Sequence, residues 1–265
     1  MQNPRLEVLR ALGKEIEHGS LWPRLHCPVC ESGYLEASEP VSEESAATRH
    51  FHDHPAFEPE WVHGTFSLAL KCESKSCGQG VVAIGSYRVR ESDALDEGPW
   101  DYGPPSYAEF YRVEYFSPPL TLLLLPDDAS TEVRAAVDRA GKLLFTEPSL
   151  AATALRAAVE HFLSSQGVPA AKSTGGFLSL DTRIRDWRDS TGVDRVADLL
   201  LAVKWIGNAG AHGVGDLSLD DVLNGAEFID EAFHAIYVAP ALDERARVIN
   251  ALKGASKSPR SSRKK

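Results

Sequence analysis

The chain has 265 residues, 43% apolar and 25% charged, an ordinary globular composition long enough for one large domain or two modest ones and unlike that of a disordered chain. Its formal net charge of −10 is unevenly placed: residues 253–265, "KGASKSPRSSRKK", hold six Lys or Arg and no acid, leaving 22 cations against 38 acids, or −16, in the remainder. A body that acidic argues against a general nucleic-acid clamp, because neutralising phosphates needs clustered cations.

The opening "MQNPRLEVLRALGKEIEHG" carries charge throughout and lacks the apolar stretch of a secretory signal. A soluble, cytoplasmic chain without membrane contact is therefore expected. Residues 4–17 predict a short helix with Leu6, Leu9 and Ile16 loosely on one side. "RLHCPVCESGYL" then brings a Cys pair, followed by a polar, acidic insert from Glu36 to about Glu60. "TFSLALKCESKSCGQGVVAIGSYRV" alternates apolar and polar residues, stops at a second Cys pair and resumes, the pattern of two strands around a knuckle. From Glu91 to Pro119 the chain is rich in Asp, Glu, Gly, Pro and aromatic residues and reads as an irregular connector held by its Trp and Tyr rings. "LTLLLLP" at 120–126 is too short to span a bilayer and predicts a buried strand ended by Pro126.

Beyond Pro126 the pattern becomes helical. Asp and Ser/Thr caps precede a helix from about 129 to 145. In "EPSLAATALRAAVEHFLSSQG", Leu150, Ala151, Ala154, Leu155, Ala158, Val159, Phe162 and Leu163 form one apolar stripe, and Gly167 follows its end. "LDTRIRDWRDS" and "VDRVADLLLAVKWIG" predict two more helices. "SLDDVLNGAEFIDEAFHAIYV" predicts a long one, capped at Ser218 and stopped near Pro240, with a last helical piece at 242–253. The expected fold is α+β: a zinc-ribbon region with N-terminal helix and connector over 1–126, a helical bundle over 127–252, and a basic, disordered tail over 253–265. No internal repeat is visible.

All four cysteines fall in two close pairs, Cys27–x2–Cys30 and Cys72–x4–Cys77. Disulfides are rare in a cytosolic chain, so paired thiols point to a metal, and four thiolates in two knuckles suit a structural Zn2+ with no open position. Reduced structural or redox thiols are the plainer reading. His50, His52, Asp53 and His54, with His63 nearby, invite a second metal, against which stands a simple solvated loop.

"KWIGNAGAHG" at 204–213 sets Asn208 and His212 among three glycines. Together with Arg156 and Glu160 in "LRAAVEHF" and the helix begun by "LSLDD", this stretch resembles the family called domain of unknown function 4145, whose members often carry an N-terminal zinc ribbon of the CPxC type. The resemblance extends from about 20 to 240. It implies kinship with HEPN helical domains, which recur in restriction and phage-defence systems, pair as homodimers, and in active members cleave RNA without metal using an Arg and a His.

On that reading His212 is the base, Lys204 or Arg156 the cation that steadies phosphorane charge, and Asn208 the orienting group, with Lys204, Asn208 and His212 on one face if the helix continues. Lys204 stands where the family more often has Arg, and lacks the planar fork that holds a phosphate. The structural reading makes the glycines a helix C-terminus and a sharp turn, with Asn208 capping freed backbone groups and His212 bridging to Glu160. The missing Arg favours this lock. The leading function is thus a non-catalytic binding and dimerisation module, defence- or nucleic-acid-associated, with structural zinc, and a His212 ribonuclease is the alternative. Its partners would be a second copy through the bundle, RNA or another nucleic acid, and a protein held by the ribbon or the tail. A small-molecule regulator finds no phosphate-cradling Gly loop in support.

Overall fold

A computed structural model describes residues 3–92, 107–212 and 217–251, with His212 described by its backbone alone. The first helix, α1 (Pro4–Leu12), starts where the Asn3 side chain accepts from the Arg5 N–H, with Pro4 in the first turn, and buries Leu6, Leu9 and Leu12. It is shorter than the predicted 4–17. The chain leaves the helix at Gly13, and Ile16–Glu17 becomes the edge strand β1, its backbone taken by the sheet.

The sheet contains β2 (Leu35–Ala37), β3 (Val41–Glu44), β4 (His63–Cys72), β5 (Gly80–Glu91) and β6 (Tyr107–Ser117), all antiparallel in the order β1-β6-β5-β4-β2, with β3 beside β4 on the same edge as β2. Along β4 and β5 the burial alternates as predicted: Phe66, Leu68, Leu70, Val81, Ala83 and Tyr87 point inward. A bulge between Ile84 and Gly85 bends the long β5–β6 ribbon. The sheet curls so far that Ser42 of β3 donates to Glu109 of β6 at 2.7 Å, although β4 and β5 lie between them in the strand order.

Three readings of this half are revised. The acidic insert is built into the fold: it supplies β2, β3 and the short helix α2 (Ala46–Phe51), which Ser45 caps. Within the predicted connector, Tyr107–Ser117 is a full strand of aromatic and β-branched residues that closes the hydrogen-bonding row of β5, while residues 93–106 lie outside the described set. The 120–126 run is not a strand. Leu120, Leu122 and Leu123 are buried without ladder pairing, and Leu124 faces solvent.

Six helices follow: α3 (Thr131–Leu143), α4 (Pro148–Ser165), α5 (Leu180–Thr191), α6 (Asp194–His212), α7 (Leu219–Phe233) and α8 (Ala239–Ala251). Caps at Ser130, Ser179 and Ser218 start α3, α5 and α7, the last as a full capping box with Asp221. α4 is the axle of the bundle, with Ala151, Leu155, Ala158, Val159, Phe162 and Leu163 fully buried. Of its predicted stripe, Leu150 alone is exposed. The helix predicted to stop near Pro240 instead continues. A π-turn over His234–Val238 widens the backbone just ahead of Pro240, where a regular helix would meet both a missing N–H and a ring clash. α1 lies against α7, tied by Arg10 to Asp220 and Glu227 and by Asn3 to Asp230, so both halves share one continuous core. No helix among the described residues is long and apolar enough to cross a membrane.

The glycines of "KWIGNAGAHG" do not end the helix: α6 runs to His212. A Cβ at Gly207 would sit 2.4 Å from the Cβ of Arg156, and one at Gly210 would sit 2.3 Å from the carbonyl oxygen of Ser149. The bare positions let α6 meet α4 backbone to backbone. Gly210→Ala should gain helix propensity of about 1 kcal/mol but suffer an overlap costing about 1–3 kcal/mol or more against main chain. A net loss is therefore expected, read as a lower urea midpoint at unchanged slope.

Candidate functional site

Cys27 and Cys30 lie in the loop between β1 and β2, Cys72 ends β4, and Cys77 sits in the turn leading to β5. The antiparallel ladder that pairs Leu35 with Cys72 brings the two loops face to face. The four sulfurs lie within 4.8 Å of one another, with Cys27 3.8 Å from Cys77 and Cys30 3.7 Å from Cys72. A disulfide needs about 2.05 Å. A tetrahedron of sulfurs about 2.3 Å from a central ion has edges of about 3.8 Å, which matches the observed separations. The four thiols are thus placed for a metal ion with all positions filled by protein.

Local backbone tunes the sulfurs. The Gly33 N–H points to Cys30 Sγ at 3.4 Å and holds that thiol down at about 6, whereas burial pushes Cys72 up to about 12. Gly33 was not singled out in the sequence, yet a Cβ there would fall 2.6 Å from Cys72 Sγ. Glu31, at φ 58° just past Cys30, accepts from Arg5 at 2.7 Å and Thr121 at 2.5 Å, fastening the knuckle to α1 and to the segment before the bundle. Among the described residues this is the one group of three or more candidate ligands. The histidines do not gather: His52 meets Glu44, His63 contacts Ser45 and Thr48, and His54 accepts from Ala56 N–H.

The residues of the predicted lock-or-catalyst occupy α4 and α6. Lys204, only 8% exposed, donates to Asp181 at 3.0 Å and lies 3.4 Å above the ring of Trp205. Arg156 pairs with Glu160 at 2.9 Å as expected from their spacing, while its buried Nε has no protein acceptor. Asn208 sits one turn beyond Lys204, and the His212 backbone one turn further, all in one helix. The proposed contact of the His212 side chain with Glu160 lies outside the described residues. Asp181 was missed because it stands 23 residues from Lys204 with no local signal.

With this geometry in place, the chain can be compared with known proteins. Both halves are similar to families of unknown function. Residues 18–116 match the family described as Domain of unknown function (DUF8608), and residues 138–252 match Domain of unknown function (DUF4145), so the resemblance read over about 20–240 holds for the helical half, while the cysteine-bearing half matches a different family. No curated protein and no solved structure matches the chain.

Two outcomes follow. Purified protein should carry one metal ion per chain by native mass spectrometry, and Cys72→Ser should release it and lower the melting temperature. Asp181 has its pKa lowered by hydrogen bonds from Arg185 and then Lys204. Its contribution is therefore present above the unfolded carboxylate pKa and is lost as pH falls through the depressed folded value. Asp181→Asn should cost about 1 kcal/mol at pH 7 after discounting for partial exposure. The gap from wild type in urea midpoints should close in acid.

Proposed function

We propose that this protein works by binding rather than by catalysis: a zinc-braced, homodimeric module of a defence- or nucleic-acid-associated system. The observation that carries this reading is α8. Every residue from Pro240 to Ala251 is exposed, and Leu242, Val248 and Ile249 present apolar side chains to solvent on a helix that projects beyond the π-turn. An exposed apolar helix face argues for a covering partner. A second copy fits by symmetry. Antiparallel packing about a two-fold axis between Arg245 and Ala246 sets Leu242 against Ile249 of the other copy, while Glu244 and Arg247 pair with each other at 2.9 Å on the opposite side of the helix and stay in water.

The sulfur tetrahedron supports zinc as the brace, since an all-thiolate, closed set with edges near 3.8 Å suits that ion and leaves no position for chemistry. Lys204 supports the non-catalytic side, because its ammonium is buried against Asp181 and Trp205. The six cations of residues 253–265 are the natural contact for RNA or an acidic protein partner.

One observation favours a ribonuclease as second reading. α6 continues as a helix, so Lys204, Asn208 and His212 follow one another at four-residue steps, and the Arg156 Nε–H beside Gly207 lacks a protein acceptor. One experiment with two arms separates the readings. RNA incubated without added divalent ions should stay intact with wild type and with His212→Ala alike. Light scattering should show a dimer that Leu242→Glu with Ile249→Glu converts to monomer. A monomeric wild type sinks the dimer, and cleavage lost only in His212→Ala installs the ribonuclease in its place.

A further inference from the structure

The curl of the sheet leaves a cavity of about 480 Å³ between its two edges, lined by Glu17, His18, Trp22, Arg24, Glu39 and Tyr111 among others. Its size is that of a small-molecule site, and the mouth of a curled sheet is a common place for one. Trp22 is half-buried, its ring tilted against Phe66 at 6.0 Å and Tyr111 at 6.1 Å between centroids, so one side is fixed by the core. At the same place runs a hydrogen-bonded chain that ties β3 to β6 and reaches the cavity at His18. Tyr111, 1% exposed, donates its hydroxyl proton to Glu109 at 2.5 Å, and Ser42 donates to the same carboxylate oxygen at 2.7 Å. Burial and then Glu109 push the Tyr111 pKa well above the usual phenol value, so the hydroxyl stays protonated.

With its own proton on Glu109, the Tyr111 oxygen can only accept from His18, whose Nδ1 lies 2.9 Å away. That contact selects the Nδ1–H tautomer of the neutral ring and leaves Nε2 as a lone-pair acceptor on an exposed side chain. The cavity's charged lining is also one-sided. Glu17 and Glu39 bring carboxylates, while the one cation, Arg24, is turned away onto the Tyr34 ring at 4.0 Å and Glu73 at 3.2 Å. Among the described residues the lining offers carboxylate acceptors and an aromatic wall, and no cation turned toward the cavity.

We infer that this cavity binds a small arylalkylamine, its ring against Trp22 and its ammonium N–H groups received by His18 Nε2 and the carboxylates. None of the residues lining the site belongs to α8, so the site does not rest on the proposed dimer.

Calorimetric titration of the full chain with tyramine, beside 4-hydroxyphenylacetate as the anionic counterpart, tests it. Tyramine should bind with one site per chain, and the acid at least ten-fold more weakly. His18→Ala should weaken tyramine at least ten-fold and Glu39→Gln should weaken it measurably, both with an unchanged melting temperature, since both positions are at the surface. Trp22→Ala is left out of the decision because that ring also packs on the core. No saturable tyramine binding at millimolar concentration overturns the inference. So does equal binding of the acid, or full binding by a folded His18→Ala.

Discussion

The backbone approach of α6 to α4 is the constraint on which the helical half depends. Gly207 and Gly210 face Ala152, Arg156 and Ser149 at distances that admit no side chain, so α6 lies in the groove of the buried axle. That seating decides where everything else on α6 goes. Val203 and Leu200 turn inward, Trp205 faces out, and Lys204 is carried to the flank where α5 presents Asp181. A glycine in a helix interior costs about 1 kcal/mol against Ala, and two in four residues is a sizeable local penalty. It is offset because a closer axle lets Leu155, Val159 and Phe162 fill the core without voids. The motif that looks like a terminus is therefore a packing surface.

The sulfur cluster plays the same part in the sheet half. A curled sheet with two- and three-residue strands at its edges has little ladder to hold β1 and β2 in place. The cysteine loops, placed to share a metal ion, meet at one of those edges, and Glu31 ties them to Arg5 and Thr121. α1 then carries the restraint to α7 through Arg10, so the two halves are braced by charged pairs as well as by the shared core. Surface pairs of this kind add little singly. Placed at the junction, they fix orientation.

Local patterns in the sequence were a good guide wherever a single periodicity ruled. The α4 stripe, the alternation in β4 and β5, the serine caps and the paired cysteines are all properties of neighbours within a few residues, and α+β follows from their order. The departures share one cause: a tertiary contact overrode a local signal. Gly207 and Gly210 signal a stop unless a second helix needs the space. Pro240 signals a stop unless a π-turn precedes it. The Asp, Gly and Pro content around residues 91–106 masked the strand-forming run from Tyr107, and the four leucines before Pro126 read as a strand although they pair with none of the described strands and pack into the core instead. Lys204–Asp181 and the His18–Tyr111–Glu109 chain join residues far apart in sequence, and no window of sequence contains them.

Charge placement links the two halves to function. Among the described residues many cations are committed within the fold: Arg5 to Glu31, Arg10 to α7, Arg156 to Glu160, Arg195 to Glu231, Lys204 to Asp181. Arg183, buried at 5% exposure, donates to the Glu160 and Val168 carbonyls and the Ser164 hydroxyl, where it closes the C-terminal end of α4. Cations held this way brace the structure and are poorly placed to neutralise phosphates. With a body at −16 and the sheet cavity lined by carboxylates, the described surface suits cationic or neutral ligands. The densest run of positive charge in the sequence is residues 253–265, and its sign opposes that of the body that carries it. The protein thus divides its electrostatics between an acidic scaffold, many of whose cations are paired internally, and a basic end.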